Sequence, residues 1–280
     1  MIRILGILNL TPDSFYAPSR TAPGDVVSAA REMLADGAWG VDLGAVSTRP
    51  GSTPVSLEEE WGRLEPSLVA LRDLGCVLSV DTFRSTIVSR VYDTVGQFIV
   101  NDITAGANDP GMLSVVGRLG LPYIAMHMHG SPFAPSETPG DIVEDVLAYF
   151  QEFSLRASYA GISQWYLDPG FGFSKTLDQN WELLHRLGEI AEHSFPCTQR
   201  SDTSSQTETA NPAIPTALKR PVLVGISRKS MLWKRFGITP EEALPATSAA
   251  HLIALQQGAS VLRVHDVAEA SRTVAIFNGL

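Results

Sequence analysis

Two groups of basic residues lie in the last quarter of the chain, each where a short apolar run ends. Ser227-Arg-Lys-Ser230 follows one run, and Arg263 and His265 close the next. Alternate residues of a strand point to the same side, so Arg263 and His265 would face one ligand. In a chain of net charge −9, cations gathered at two strand ends predict a site for an anion such as phosphate. Arg228 is equally well explained as a solvated residue at a helix start.

Two acids and an amide end three other apolar runs. They are Asp81, Asn101 and Asp168. Carboxylate and amide oxygens accept hydrogen bonds from N–H groups, so three of them in one pocket would recognise the donor edge of a nitrogen heterocycle. Each of the three, taken alone, would be explained as a helix cap. Their shared position favours ligand binding if the fold brings the run ends together.

The elements that would bring these run ends together are eight short apolar runs, which alternate with helical patterns. The runs are residues 2–8, 40–44, 76–80, 98–100, 122–126, 165–167, 222–226 and 261–264. Strands that alternate with helices form parallel sheets, and a length of 280 residues suits one (β/α)8, or TIM, barrel. We therefore predict a single-domain α/β barrel over residues 1–280, with its site where the carboxyl ends of the strands meet.

Helical periodicity predicts helices over residues 24–36, 141–160, 178–192, 241–257 and 267–277, and a further helix that begins at Ser56. One segment, residues 197–220, is rich in Ser, Thr and Pro and has no periodicity. It lies between the sixth helix and the seventh strand, so we expect a low-complexity, disordered insertion on the face opposite the site.

Composition excludes several classes of partner. The net charge of −9 argues against nonspecific nucleic-acid binding. Two cysteines are too few for a disulfide framework and suit a reducing compartment. The sequence starts without a signal peptide, and its apolar runs are too short to span a membrane. We therefore expect a cytoplasmic protein with small-molecule substrates and neither nucleic-acid nor membrane partners.

Six motifs resemble, in content and in order, those of the dihydropteroate synthases, which are pterin-binding TIM barrels. They are Asn9-Leu-Thr-Pro-Asp-Ser-Phe15, Ser47-Thr-Arg-Pro-Gly51, Asn101-Asp102-Ile103, Asp168-Pro-Gly-Phe-Gly-Phe173, Gly225-Ile-Ser-Arg-Lys-Ser230 and Arg263-Val-His-Asp266. The resemblance extends from residue 4 to about residue 277 and leaves out the insertion.

This resemblance implies a transferase of folate biosynthesis and a target of sulfonamides. The family joins (7,8-dihydropterin-6-yl)methyl diphosphate to 4-aminobenzoate and releases diphosphate. By motif, the pterin would be bound by Asp81, Asn101, Ile103, Met126, Asp168, Phe173, Gly225 and Lys229. The diphosphate would be bound by Asn9, Arg263 and His265, and the cofactor Mg²⁺ would be bound at Asn9. The residues that would bind 4-aminobenzoate are Phe15, Thr48, Arg49, Pro50, Lys229 and Ser230. Asp81, Asp168, Lys229 and Arg263 would be the catalytic residues, and the family implies a homodimer.

Two loops depart from the family pattern, and three other functions remain open. The second loop reads Gly44-Ala-Val-Ser47, without the usual acid before the serine, and the first continues as Phe15-Tyr-Ala-Pro18. These changes leave room for a paralogue that binds pterin without synthase activity. A methyltransferase-type pterin barrel is a second alternative. The third is a metal hydrolase, because the alternate histidines of His127-Met-His129 could chelate Zn²⁺.

Overall fold

The computed structural model describes residues 1–11, 25–47, 55–131, 134–135, 140–197 and 216–279. Eight parallel strands close into a barrel, which confirms the predicted (β/α)8 fold. In order around the barrel they are β1 (Arg3–Asn9), β2 (Gly40–Gly44), β3 (Val77–Asp81), β4 (Ile99–Asp102), β5 (Tyr123–Met126), β8 (Trp165–Asp168), β11 (Val222–Val224) and β12 (Ala259–Val264), which pairs again with β1.

Helices connect these strands around the outside of the barrel. They are α1 (Val26–Ala35), α2 (Leu57–Leu71), α3 (Ser85–Val95), α4 (Met112–Leu119), α5 (Ile142–Ala160), α6 (Leu177–His185), α7 (Leu187–Glu192), α8 (Ser230–Phe236), α9 (Leu244–Gln256) and α10 (Val267–Gly279). Two short antiparallel pairs complete the described part of the chain: β6 (Gly130–Ser131) with β7 (Ala134–Pro135), and β9 (Ser194–Cys197) with β10 (Thr216–Lys219).

The strand register brings polar residues of three strands, and a glycine of a fourth, into one row at the mouth of the barrel. Asn9 at the end of β1 pairs with Gly44, Gly44 pairs with Asp81, and Asp81 pairs with Asn101. In a parallel barrel such a row lies at the carboxyl ends of the strands, where sites are built. The sequence prediction that these run ends meet in one place is therefore confirmed.

Two apolar layers lie inside the barrel. The lower layer consists of Leu5, Ile99, Ile124, Leu223 and Val261, which are nearly inaccessible to solvent. Burial of each such side chain stabilises the fold by about 1.5–3 kcal/mol relative to exposure. The upper layer, at the mouth, contains Phe83, Ile103, Met126 and Met128. The lower layer closes the barrel interior, so a ligand has access only to the upper one.

Helix ends follow local capping chemistry where the sequence supplies it. The Asp141 side chain accepts hydrogen bonds from the backbone at the start of α5, and Gly161, with φ of 82°, ends that helix, as expected. The helix predicted over residues 178–192 is in fact two, because the chain breaks at Arg186 between α6 and α7. The helix predicted over residues 241–257 begins only at Leu244, and a separate helix, α8, precedes it.

The predicted aperiodic segment, residues 197–220, starts and ends within a β-hairpin. Cys197 of β9 pairs with Thr216 of β10, and Ser194 pairs with Lys219. The described hairpin precedes the amino end of β11 (Val222–Val224). Composition missed it because a pair of four-residue strands depends on a distant partner, not on local periodicity. Residues 198–215 of this segment lie outside the described residues.

Candidate active site

Arg263 lies between two carboxylates at the mouth of the barrel. Its Nε donates to Asp42 Oδ2 at 2.6 Å and its Nη2 donates to Asp81 Oδ2 at 3.1 Å. Closure of the barrel makes these residues of β12, β2 and β3 neighbours. Burial lowers the pKa of Arg263, but the two carboxylates outweigh burial and hold the pKa above its ordinary value. The guanidinium is therefore a permanent charge whose position is set by two acids.

Asp42 is a site residue that sequence analysis missed. It is fully buried and accepts two further hydrogen bonds, from the Ser79 hydroxyl and, at 3.0 Å, from Asn101 Nδ2. In the sequence, Asp42 lies within an otherwise apolar run, residues 40–44. The acid within this run was the signal that could have identified the site, because an aspartate is almost never fully buried unless it is paired. Asp42 thus links the Asn101 amide and the Arg263 guanidinium into one network.

Asp81 shares its cation with Asp42, and this affects its protonation. Burial raises the pKa of Asp81 to about 7; Arg263 opposes the rise, and the Asp42 carboxylate adds to it. The physical cause is that one guanidinium cannot fully compensate two desolvated carboxylates. An N–H donor from a ligand would stabilise the ionised form of Asp81, so this carboxylate is suited to bind a donor edge.

Asp168 and Lys229 form the opposite side of the pocket. Asp168 is buried, and its Oδ1 accepts from the Gly170 amide at 2.8 Å. Burial raises the pKa of Asp168, although Lys229 opposes the rise. Burial lowers the pKa of Lys229 to about 8, while Asp168 acts in the other direction. A Cβ atom on Gly225 would lie 3.9 Å from both Asp168 Oδ2 and Lys229 Nζ, so Gly225 keeps the space between the two charges open.

The Lys229 side chain also joins this charged side to the apolar slot. Its Nζ donates to the carbonyl oxygen of Phe171 and lies 4.6 Å from the centre of the Phe173 ring. Phe173 packs against the upper layer that contains Ile103 and Met126. The three predicted apolar pterin residues are therefore together, and the structure adds Phe83 and Met128, which sequence analysis did not assign.

The turn after β4 is held by the neighbour of Asn101. Asp102 is fully buried and accepts from the backbone amides of Thr104 and Gly106 at 2.7 and 2.8 Å and from the Tyr123 hydroxyl at 2.6 Å. These bonds orient the turn that carries Ile103. The adjacent residues Asn101 and Asp102 therefore act separately, the first in the pocket network and the second as a support for its wall.

The structure corrects the charge expected for His265. Burial, followed by the positive charge of Arg263, lowers the pKa of His265 to about 3, so the imidazole is neutral at pH 7. Its Nδ1 lies 3.1 Å from the Ser227 hydroxyl. His265 thus lies beside Arg263, where burial and this neighbouring cation favour the neutral imidazole over the cation that the sequence predicts.

Arg228 is neither a solvated residue nor a pocket cation. It is 7% exposed and makes paired hydrogen bonds to Asp266 at 2.8 and 2.9 Å. Its Nη1 donates to the carbonyl oxygens of Pro240 and Glu241. This bidentate ion pair fixes the turn before Lys229 to the start of α10. Arg228 therefore positions its neighbour, Lys229, and this role differs from both that the sequence suggests.

Asn9 faces the same small space as Asp81. A Cβ atom on Gly44, between them in the row, would lie 3.6 Å from Asn9 Oδ1 and 3.9 Å from Asp81 Oδ2. Ser230, the last predicted 4-aminobenzoate residue that is described, is the first residue of α8. The other four, Phe15, Thr48, Arg49 and Pro50, lie outside the described residues.

The histidines of His127-Met-His129 do not belong to this pocket. Met126 and Met128 pack in the upper layer, whereas His127 and His129 both contact Asp145 of α5. A hydrolase that uses these histidines would need its substrate outside the barrel mouth. The geometry therefore does not support the metal-hydrolase alternative for the pocket formed by Asp81 and Asp168.

Comparison with known proteins agrees with this geometry. A family model described as pterin binding enzyme matches residues 5–265. The dihydropteroate synthase of Escherichia coli strain K12 is 39% identical over 272 residues, which cover 95% of this chain and 87% of that protein. None of the described helices is both long and apolar enough to cross a membrane.

Two solved structures have the same fold over nearly the whole chain. The Yersinia pestis dihydropteroate synthase, in a sulfonamide drug complex, has a TM-score of 0.84 at 33% identity and covers 99% of this chain and 93% of that one. The Burkholderia cenocepacia enzyme, complexed with 7,8-dihydropteroate, has a TM-score of 0.83 at 33% identity and covers 100% of this chain and 91% of that one. The chain therefore belongs to the pterin-binding enzyme family and, within it, to the dihydropteroate synthases.

Proposed function

We propose that the chain condenses (7,8-dihydropterin-6-yl)methyl diphosphate with 4-aminobenzoate to give 7,8-dihydropteroate and diphosphate, a step of folate biosynthesis. One observation carries the proposal: Asp81, Asn101, Asp168 and Lys229 meet around an apolar slot in a chain of this family. The Burkholderia cenocepacia relative holds the corresponding product, 7,8-dihydropteroate.

The slot suits a flat pterin ring. Ile103, Met126 and Phe173 supply apolar walls for the faces of the ring. Asp168 and Asn101, both nearly inaccessible to solvent, supply polar groups for its edge. In a desolvated pocket these groups discriminate strongly, because a ligand without matching N–H groups would leave them unpaired. The Lys229 ammonium would donate to a ring acceptor on the same side.

The chemical step breaks the C–O bond between the pterin methylene and diphosphate. The electron pair leaves with the diphosphate, and positive charge develops on the methylene and the pterin ring. The buried Asp168 carboxylate, held by the Gly170 amide, would stabilise that charge, and its fixed position means that little reorganisation is needed. The amine nitrogen of 4-aminobenzoate then bonds to the methylene carbon and loses a proton to solvent.

The charge around Arg263 explains why the leaving group needs more than this one cation. Arg263 is bonded to two carboxylates, Asp42 and Asp81, so the trio carries one net negative charge when both acids are ionised. Arg263 alone therefore does not attract a diphosphate. A bound cation would supply the missing positive charge. The oxygens of Asn9 and Asp81, which face the space above Gly44 at the barrel mouth, could hold such a cation.

Hard oxygen donors of this kind fit Mg²⁺, and we assign Asn9 Oδ1 as its protein ligand. When bound there, Mg²⁺ would neutralise charge on the diphosphate and hold it for departure. Arg263 then contributes through its fixed hydrogen-bond donors, and neutral His265 contributes a further polar group beside it. Lys229 and Ser230, at the start of α8, would form the described part of the 4-aminobenzoate site.

We also propose a cytoplasmic homodimer, as the family resemblance implies. Ile276 of α10, the last helix, is an apolar side chain that is 59% exposed and would lie in an interface formed by that helix. The mass in solution, measured by light scattering, tests the dimer. Cell fractionation tests the location. The response to a sulfonamide tests whether the altered loops still admit such inhibitors.

Diphosphate release tests the function directly. The protein is mixed with the pterin diphosphate, Mg²⁺ and 4-aminobenzoate, and Lys229→Ala is compared with Lys234→Ala, an exposed lysine on α8. Turnover that requires 4-aminobenzoate and is lost only in Lys229→Ala supports the proposal. Saturable pterin binding without turnover would instead identify a binding-only paralogue or a methyltransferase-type barrel.

A further inference from the structure

Three metal-ligating side chains meet outside the pocket, between the end of β5 and helix α5. His127 Nε2 and His129 Nε2 each lie 2.8 Å from the same atom, Asp145 Oδ2. The two imidazole rings are nearly perpendicular, with centres 5.1 Å apart. His127 is fully buried, whereas the side chains of His129 and Asp145 are 33% and 21% exposed. The cluster therefore has a rigid inner ligand and an opening to solvent.

This cluster is separate from the proposed reaction site. Residues alternate in direction along the extended segment after β5, so Met126 and Met128 pack in the upper layer while the histidines face α5. The proposed reaction uses neither histidine. A role for the cluster must therefore be sought in what these three groups can bind themselves.

Two imidazoles and a carboxylate match the donor set of Zn²⁺ and similar transition metals. Around a tetrahedral ion with bonds of about 2.0–2.1 Å, ligand atoms lie roughly 3.3 Å apart. Each Nε2 is now 2.8 Å from the carboxylate oxygen, so each of these two distances would widen by about half an ångström around the ion. The three ligand atoms already lie within 4.8 Å of one another. Nitrogen donors disfavour Mg²⁺, which prefers oxygen, so this would be a different site from that at Asn9.

A further side chain orients the ring of His127. Lys175 Nζ lies 2.9 Å from His127 Nδ1 and also donates to the carbonyl oxygens of Gly170 and Phe173. The other ring nitrogen, Nε2, is therefore the one that faces Asp145. Lys175 thus connects the cluster to the loop that carries Phe173.

We propose that His127, His129 and Asp145 form a binding site for a divalent transition metal of the Zn²⁺ type, with water in the remaining position. The ion joins the end of β5 to α5. A ligand that binds only the folded state also raises its stability, so the melting temperature rises with Zn²⁺ concentration.

The test is a calorimetric Zn²⁺ titration of the full chain after chelator treatment, with excess Mg²⁺ present. We expect one ion per chain, with binding at least about tenfold weaker in Asp145→Asn and in His129→Gln. His185→Gln, which changes an exposed histidine on α6, is the matched control and should bind as the wild type does. Asn9→Ala should also leave Zn²⁺ binding unchanged, because it alters only the proposed Mg²⁺ position.

Two results would overturn the proposal. One is Zn²⁺ binding of equal affinity in the wild type, Asp145→Asn and His129→Gln, which would show adventitious binding elsewhere. The other is less than one ion bound per chain at micromolar Zn²⁺. Melting temperatures measured without metal establish that each variant is folded, and His129 is partly exposed, so at least that variant should fold.

Discussion

Asp42 is the acid on which the pocket network depends, and its replacement should affect both stability and catalysis. Its carboxylate accepts from Ser79, Asn101 and Arg263 and is fully buried. Asp42→Ala removes the acceptor for all three donors. Asp42→Asn keeps the shape: the amide oxygen can still accept from Asn101 and Arg263, and the amide N–H can donate to the Ser79 hydroxyl, which reverses its role.

The magnitudes follow from these bonds. A hydrogen bond to a charged group contributes about 1.5–3 kcal/mol and a neutral one about 1 kcal/mol. Because Arg263 keeps Asp81 as a partner, its charge stays partly compensated in the alanine variant. We therefore expect Asp42→Ala to lower the free energy of unfolding by about 3–5 kcal/mol. Asp42→Asn should lower it by only about 1–2 kcal/mol, since the charge alone is lost.

Catalysis should fall in both variants, because Asn101 and Arg263 lose their shared acceptor in Asp42→Ala and lose its negative charge in Asp42→Asn. We expect kcat/KM for diphosphate release to fall about 10- to 100-fold in Asp42→Asn, which corresponds to about 1.4–2.7 kcal/mol. Urea unfolding and initial-rate assays measure the two effects. Asp73→Ala, at an exposed acid, controls for loss of charge alone. Unchanged stability in Asp42→Ala, or an unchanged kcat/KM in Asp42→Asn, would refute the network.

Three further predictions concern the pocket and the helices. Gly225→Ala should fold normally, because its Cβ would make ordinary contacts at 3.9 Å, yet weaken pterin binding in a titration by about tenfold, since it fills space between Asp168 and Lys229. The pKa of Lys229 is lowered to about 8, so its ammonium is lost as the pH rises through this value. We therefore expect kcat/KM to decrease about tenfold per pH unit above pH 8. Lys229→Arg stays charged and should abolish this decrease. Gly117→Ala places a Cβ 1.7 Å from a backbone oxygen of α5, so it should lower the free energy of unfolding by about 2–3 kcal/mol. Gly62→Ala lies at an open position of α2 and should raise the free energy of unfolding by about 0.5–1 kcal/mol. Urea denaturation measures both changes.

The barrel and most of its site could be predicted because their signals are local. Each strand is a short apolar run, and each site residue at the barrel mouth follows within a few positions. Closure of the parallel barrel then aligns Asn9, Asp81 and Asn101 in one row. No sequence signal beyond the strand ends is needed to predict that these residues meet. The predicted helix over residues 141–160 also succeeded for a local reason, its Asp141 cap and terminal Gly161.

Asp42 and His265 show what local patterns could not supply. The three partners of Asp42 are 37, 59 and 221 residues away in the sequence, so only the closed barrel explains why an acid is tolerated there. His265 is basic by residue type, but its protonation depends on burial and on Arg263. In both cases the residue type was visible, and its charge environment required the tertiary structure.

The segment from Met126 to His129 shows why alternation alone does not assign function. Its four residues divide into two methionines that line the pocket and two histidines that meet Asp145. Periodicity separates the two pairs but cannot decide which pair faces inward, because both faces of this strand are buried. Only the position of α5 against β5 resolves the choice. The same packing that removes the histidines from the reaction site places a carboxylate between them, which is why the motif is better explained by metal binding outside the pocket than by hydrolysis within it.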